Sequence, residues 1–340
     1  MKGKPARGGL RRAGAAEMPI DMRRKHVSGR TLAVLLAALL LAGCGAPREA
    51  RAKTVFAMDT VMNLSAYGKS ADAALEAAER EIYRLDAMLA RGVEGSAVYA
   101  CNHGAAPEGE LAELLALAEE IGAAADGAFD PYLGGVLDLW GFGSGAGEHR
   151  VPTETELSEA PRLLDLGGVA KGYAGQRVCD ILREGGATGA VVDLGGDVAL
   201  FGQKPDGSAW RVAVKDPAGG AYLGVLESEG GRYIATSGVY ERFFEQNGVR
   251  YHHILDPRTG RPAESGLVSA TVICESGVWA DALATAVCVM GAEQALQMRA
   301  ALAETTPFDV ILVTADGRVL YTCEGFAPDA GNGYACERVF

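Results

Sequence analysis

The stretch GAVVDLGGDVALFG, Gly189–Gly202, settles what kind of fold this chain adopts. Valine-rich runs on either side of a glycine pair read as strand material. At the break, Gly195, Gly196 and Asp197 serve either as a tight turn or as a strand end lying against a ligand. Immediately upstream, GGVAKGYAGQRVCDILREGG (Gly167–Gly186) reads as a glycine turn running into a helix closed by Gly185 and Gly186. Downstream no helix intervenes. WRVAVKDP (from Trp210), LGVLESE (from Leu223), GRYIATSG (from Gly231) and RYHHILDP (from Arg250) follow as strands at hairpin-like intervals.

Outward from there the pattern stays mixed. LVSATVICES, from Leu267, is a further strand, followed by helices at VWADALATAVCVMG and AEQALQMRAALAE. A last hairpin, DVILVTADGRVLYT, turns at Asp316-Gly317. Towards the N-terminus, TVFAMDTVMNLSAYG (Thr54–Gly68) predicts strand, turn and strand. A helix starts at Ser70, with Leu75, Ala78, Ile82, Leu85 and Leu89 on one apolar face. A second covers ELAELLALAEEIGAAA and stops at Gly127; GAFDPYLGGVLDLWGFGSGAGEH beyond it reads as loop. Strand clusters beside packed helices predict an α+β fold with mixed, largely antiparallel sheets, rather than strict βαβ alternation.

The first 43 of the 340 residues stand apart. MRRKHVSGR is a basic segment and TLAVLLAALLLAG an apolar one, together the pattern of a secretory signal. The apolar run is shorter than the about 20 residues a membrane span requires. It ends in LAGC, Leu41–Cys44, which resembles a lipobox, so acylation of Cys44 is expected. Each acyl methylene buried in a bilayer contributes ~0.8 kcal/mol, enough in sum to hold a protein on a membrane. The expected organisation is a signal over 1–43 (true start Met22), a lipidated linker over 44–54 and a catalytic domain over 55–340, on the exported face of the cell membrane.

Removing residues 1–43 removes nine Lys/Arg and two Asp/Glu, taking the net charge from −12 to −19. That argues against a nucleic-acid partner, whose phosphates demand a basic face. The cysteines beyond Cys44 show no CxxC pair and no zinc-like spacing; Cys323 with Cys336 is the first candidate disulfide.

Four constellations carry possible chemistry. Asp281 and Thr285, four residues apart on a predicted helix, share one face and offer two hard oxygens of the kind Mg²⁺ accepts. On spacing alone the plainer reading is a first-turn acid and a threonine bonding back to a carbonyl. In DLGGVAKGYA (Asp165–Ala174), glycines ahead of a helix plus Lys171 could receive an anion, or the glycines serve turn geometry alone. DLGGD is the third. The fourth is YHHILDPRTGRP, Tyr251–Pro262, where His253 and Asp256 form a candidate acid/base pair or the segment is a plain surface turn. Strand neighbours face opposite sides, so only one of His252 and His253 enters a cleft.

In order and spacing these segments resemble the ApbE family, the FAD:protein FMN transferases, many of them lipoproteins. The resemblance runs from about Val55 to Thr322 and rests on MDTVMNLSAYG, GAFDPYLGGVLDLWGFG, DLGGVAKGYA and VVDLGGDVALFG. Its most specific parts are ATSGVYERFFEQNGVRYHHILDPRTGRP and WADALATAVCVMG. It implies a two-lobed architecture with the FAD cleft between lobes. Met58, Phe129, Asp130, Lys171 and Tyr173 would lie on the FAD side, with Thr236, Ser237, Gly238 and His253 lining the same site. The Ala170 carbonyl, Asp281 and Thr285 would hold Mg²⁺, His253 would act in catalysis, and His252 would face outward. Two departures stand out: Gly92 where relatives often carry an aromatic ring, which Trp140 or Tyr99 could replace, and Gln176 where they often carry Asp.

The implied reaction is Mg²⁺-dependent transfer of FMN from FAD to a threonine hydroxyl of an acceptor flavoprotein, with release of AMP. A membrane electron-transport subunit or another exported flavoprotein is the expected acceptor. The alternatives are an FAD pyrophosphatase at the same site and a non-catalytic FAD-binding lipoprotein. Thr271, in SGLVSAT, loosely resembles an acceptor threonine, although a strand threonine is the plainer reading.

Overall fold

The computed structural model describes residues 49–143, 147–220 and 222–340; the signal segment and Cys44 lie outside them. The described residues form one compact unit. In chain order it begins with β1 (Arg51–Ala57), β2 (Thr60–Tyr67), α1 (Ala71–Leu89), α2 (Ala97–Asn102), α3 (Gly109–Ala124), α4 (Gly134–Trp140) and α5 (Glu154–Ser158). Next come α6 (Ala170–Glu184), β3 (Gly189–Asp193), β4 (Val198–Gly202), β5 (Trp210–Val214), β6 (Gly224–Ser228) and β7 (Arg232–Gly238). The short strands β8 (Phe243–Gln246), β9 (Val249–His252), β10 (Leu255–Asp256) and β11 (Arg261–Pro262) precede β12 (Leu267–Cys274), α7 (Gly277–Met290) and α8 (Ala292–Ala301). The chain closes with β13 (Phe308–Thr314), β14 (Arg318–Tyr321), β15 (Phe326–Pro328) and β16 (Ala335–Arg338).

One nine-stranded sheet, in the order β1-β2-β3-β4-β7-β12-β13-β14-β16, runs through the unit. Its pairs are antiparallel except the last, β14 with β16. The α+β expectation holds. Side chains alternate across the sheet as the pleat requires. Val310 and Leu312 of β13 join the helix-covered core, while Ile311 and Val313 face a second core on the opposite side, under the sheet β15-β6-β5.

The helix-covered face carries two cores. One packs α1 and α6 on the first four strands; the other packs α3, α7 and α8 on β12 and β13. Met58, Tyr173 and Tyr233 pack against both and mark the seam between these two lobes. A smaller core of Trp140, Phe142 and Leu255 sits beneath the hairpin β8-β9.

Several details depart from the sequence reading. The strand expected from Thr54 begins at Arg51, inside the segment assigned to the linker, because Arg51–Lys53 find partners in Leu64–Ala66. The loop expected at 127–149 contains α4, which buries Trp140 and ends at Gly141 with φ 79°. Cys323 and Cys336 are free: Cys323 turns into the core and Cys336 lies exposed on edge strand β16. Helix α2, capped by Ser96 accepting from Tyr99 N, was not anticipated.

Candidate active site

Helices α6 and α7 meet at their N-termini, backbone against backbone. A Cβ on Gly172 would lie 2.0 Å from the Gly277 carbonyl oxygen, and one on Gly277 would lie 2.2 Å from that of Gly172. Only glycine at both positions permits this approach. The contact lets the amide of Gly172 donate to Asp281 Oδ2 at 2.9 Å. Gln176, one of the two family departures, accepts from the amide of Gly277 at 3.3 Å and so helps start α7.

Asp281 is 4% exposed, and burial raises its carboxyl above the ordinary range, with the Lys171 charge opposing. Thr285, one turn on, shares a hydrogen bond with Ser237 of β7, Oγ to Oγ, at 3.1 Å. Ala170 opens α6, two residues before Gly172. The next strand contact brings in Asp197, whose Oδ1 accepts from the amide of Thr236 at 2.9 Å. The hydroxyl of Thr236 pairs with that of Thr271, 2.9 Å away. Thr271 is 1% exposed, so it is a core strand residue and no acceptor.

Lys171 does not reach outward for an anion, as the glycine turn had suggested. Its Nζ lies 3.0 Å from Asp197 Oδ2 and 3.6 Å from Asp281 Oδ1. Burial opposes the charge on Lys171, but the two carboxylates outweigh it and hold the ammonium firmly protonated. Asp197 is the member of this cluster that sequence reasoning left undecided. The signal was present in DLGGD, but nothing in the chain order tells that β7 and α6 will close over it.

The histidines behave differently from expectation. His253 is half-buried; its amide donates to the Arg242 carbonyl at 3.0 Å and its Nδ1 lies 3.2 Å from the same oxygen. A carbonyl only accepts, so Nδ1 carries the proton and Nε2 keeps a free lone pair. Burial, with the charges of Arg242 and Lys171 adding to it, pushes the imidazole down to about 4. Arg242 also donates to the Phe142 carbonyl, and the Phe142 ring meets His253 edge-on at 6.3 Å. His252 is not the outward neighbour: it is buried, with Nε2 3.2 Å from the Ala263 carbonyl. The opposite side of this strand is protein interior, so alternation sends His252 inward. Asp256 does not touch His253. Both its oxygens are engaged by Arg258, at 2.8 and 2.9 Å, and its carbonyl accepts from Thr259 and Gly260. It holds the turn.

The remaining expected residues sit around this centre. Met58 takes φ 50° in the β1-β2 turn, a conformation unusual for a side chain of its size, and donates its amide to Asp86. Tyr173 points its hydroxyl at Glu110, 2.6 Å away. Phe129 lies over Gly168 of the loop leading to Ala170, where a Cβ would come within 2.9 Å of its ring. Asp130 is paired with Arg162 at 3.1 Å. Phe129 and Asp130 share an open depression of about 470 Å³ with Pro257 and Arg258 of the DPRTG turn. Asp281, Thr285 and His253 do not line that depression. Gly238 packs against the ring of Tyr240, where a Cβ would clash. Trp140 is fully buried and donates to the Gly260 carbonyl at 2.7 Å, so it cannot replace the ring missing at Gly92.

Two clamps went unread in the sequence. Asn102 brackets Leu164, donating to its carbonyl at 2.9 Å and accepting from its amide at 2.7 Å. Arg91 forks onto Asp138 and places Nε 3.0 Å from Asp165. Together they hold the loop that enters α6.

Among the described residues no group of three or more His, Cys, Asp or Glu side chains could hold a metal ion. A thiolate or imidazole cage is therefore not what this centre offers. Its donors are one carboxylate, one hydroxyl and backbone carbonyls, hard oxygens suited to Mg²⁺. Two buried carboxylates face a single ammonium, so the centre carries surplus negative charge, which fits a cation.

The ApbE family profile matches residues 58–308. The chain is 34% identical over 335 residues to a protein of Vibrio cholerae named FAD:protein FMN transferase, covering 87% of this chain and 98% of that one. A protein of the same name from Salmonella typhimurium is 30% identical over 306 residues, covering 78% and 87%. Among solved structures, the ApbE protein of Thermotoga maritima superposes with a TM-score of 0.73 at 31% identity, covering 80% of this chain and 96% of that one. The apo flavinyl transferase ApbE of Pseudomonas stutzeri gives 0.69 at 29%, covering 84% and 95%. Fold and site thus define an α+β protein of the flavinyl-transferase class. The chain belongs to the ApbE family.

Proposed function

We propose that this chain is an FAD:protein FMN transferase that moves FMN from FAD onto a threonine hydroxyl of an acceptor protein and releases AMP. The observation that carries the reading is the meeting of Asp281 and Thr285 on one face of α7, opposite the start of α6. Asp281, Thr285 and the Ala170 carbonyl would hold Mg²⁺. The ion would neutralise charge that develops on the phosphates as the pyrophosphate splits, an effect of several kcal/mol in such sites.

The chain's own residues supply the rest. His253 presents an unprotonated Nε2, because the Arg242 carbonyl holds the proton on Nδ1. That nitrogen would take the proton of the attacking hydroxyl. The threonine oxygen then bonds to the FMN-side phosphorus, the bond to the AMP phosphate breaks, and AMP leaves with its electron pair. The low proton affinity of His253 keeps it available as a base throughout the neutral range. Ser237 orients the hydroxyl of Thr285, and Gly172 orients the carboxylate of Asp281. Met58 and Tyr173, at the seam of the two lobes, are the residues proposed to meet the flavin. Phe129, Asp130, Thr236, Ser237 and Gly238 would line the same cleft.

We also propose that residues 1–43 are a secretory signal and that Cys44 carries the lipid anchor, placing the enzyme on the exported face of the membrane beside acceptors in electron-transport subunits or exported flavoproteins. Helices among the described residues are not long and apolar enough to cross a membrane. The test follows AMP release and acceptor mass together, with FAD, Mg²⁺ and an acceptor domain, and a chelator control. Chelator-sensitive AMP with an FMN-sized mass gain is expected. AMP with free FMN and unlabelled acceptor would mean a pyrophosphatase, and intact bound FAD would mean a binding protein.

A further inference from the structure

The chemistry above uses neither Lys171 nor Asp197, yet both are built into its floor. Their arrangement is specific. Each carboxylate has one oxygen tied to a backbone amide: Asp281 Oδ2 to Gly172, Asp197 Oδ1 to Thr236. Neither acid is free to swing. The two remaining oxygens face the same ammonium, at 3.6 Å from Asp281 and 3.0 Å from Asp197. Both acids are deeply buried, with side chains 5% and 8% exposed, whereas the Lys171 side chain keeps 28% exposure.

We infer that Lys171 is the resident counter-cation of the site, shielding Asp281 when no divalent ion is bound, and that Asp197 is the anchor that draws the ammonium aside when one arrives. This rests on the reading of Asp281 and Thr285 as cation ligands. Three observations support it. The ammonium already sits nearer to Asp197 than to Asp281. Asp197 Oδ2 is buried and Lys171 Nζ stands 3.0 Å from it, so it offers the ammonium a seat apart from Asp281. A void of about 10 Å³ bounded by Lys171, Asp197, Gly172 and Gly277 lies beside the side chain, so the ammonium is not locked in by close packing on that side. Lysine suits the task, being a compact charge on a flexible stem.

The charge balance follows. One ammonium against two carboxylates leaves a formal charge of about −1. A divalent ion would bring the centre to about +1, ready for the anionic diphosphate of the substrate. A lysine that instead clamped the substrate phosphate would leave the carboxylates, whereas Nζ lies 3.0 and 3.6 Å from them.

The test measures Mn²⁺ binding to the purified full-length protein by electron paramagnetic resonance, without FAD. Lys171→Met is expected to bind Mn²⁺ at least tenfold more tightly than the parent protein, in keeping with loss of a competing charge. Asp197→Asn, which keeps the oxygen that accepts from Thr236, is expected to bind at least tenfold more weakly. The decisive comparison is the double variant. If Asp197 acts through Lys171, the loss caused by Asp197→Asn vanishes in the Lys171→Met background. If it persists there in full, Asp197 acts by its own charge and the inference fails. Unchanged Mn²⁺ affinity in Lys171→Met, with weakened FAD binding by flavin fluorescence, would overturn it in favour of a phosphate clamp. Should Lys171→Met not fold, Lys171→Gln serves the same comparison. A parent protein that binds no Mn²⁺ with or without FAD would sink the cation reading itself, and this inference with it.

Discussion

At the scale of single residues, the site depends on groups whose state is set by a neighbour's backbone. In the proposed reading His253 serves as the base because the Arg242 carbonyl fixes its tautomer and burial keeps it neutral. Its imidazole is depressed from 6.5 to about 4, so the active, unprotonated form persists above that value and is lost as pH falls through it. With Mg²⁺ saturating, the acid limb of kcat/KM is therefore expected at about 4. A limb near the ordinary histidine value would show that burial does not govern this ring. Replacing His253 by Ala should cost about 10²–10⁴-fold in the transfer rate while leaving FAD binding within reach of the parent protein, measured by flavin fluorescence. Asp281 shifts the other way: burial raises its carboxyl, so protons compete with the metal as pH falls. The Mg²⁺ concentration for half-maximal rate should accordingly rise on acidification, and a pH-independent requirement would argue against Asp281 as a ligand.

At the scale of elements, what matters is how closely two helices approach. Gly172→Ala places a methyl against the Gly277 carbonyl, which cannot yield without moving α6 or α7. Overpacking of this kind costs about 1–3 kcal/mol, and here it also pulls the Gly172 amide from Asp281. A lower melting temperature together with weaker metal response is expected; an unchanged response would show that the carboxylate needs no backbone anchor. Asn102 offers a second test, since its side chain brackets Leu164 on a loop 62 residues away. Asn102→Ala should destabilise by about 1–3 kcal/mol by leaving buried backbone groups without partners, read in denaturant titration. Helix α7 was legible because Asp281 and Thr285 repeat at the helical interval and its flanks are apolar. Helix α4 was not, because its glycines and aromatics carry no such period; burial of Trp140 against Gly260 is what makes it a helix.

At the scale of the whole molecule, one sheet ties both lobes together and no covalent bond assists among the described cysteines, six of which are free. Reductant should leave the melting temperature unchanged. Losing a native disulfide typically costs about 2–5 kcal/mol, so a fall of several degrees would reveal a pairing of Cys323 and Cys336 that the fold does not show. Local pattern in the sequence was enough for the α+β class, the strand-turn-strand of Thr54–Gly68, the hairpin turning at Asp316-Gly317, and the helix that sets Asp281 and Thr285 on one face. Those features depend on spacing within a few residues, and the chain carries them wherever it goes. Only the tertiary structure decided that His252 turns inward, that Asp256 serves its turn, and that Lys171 answers two acids from separate loops. Each of those outcomes is set by what lies across the contact. Asp197 and Asp281 are 84 residues apart in the chain, and nothing local foretells that one ammonium will stand between them.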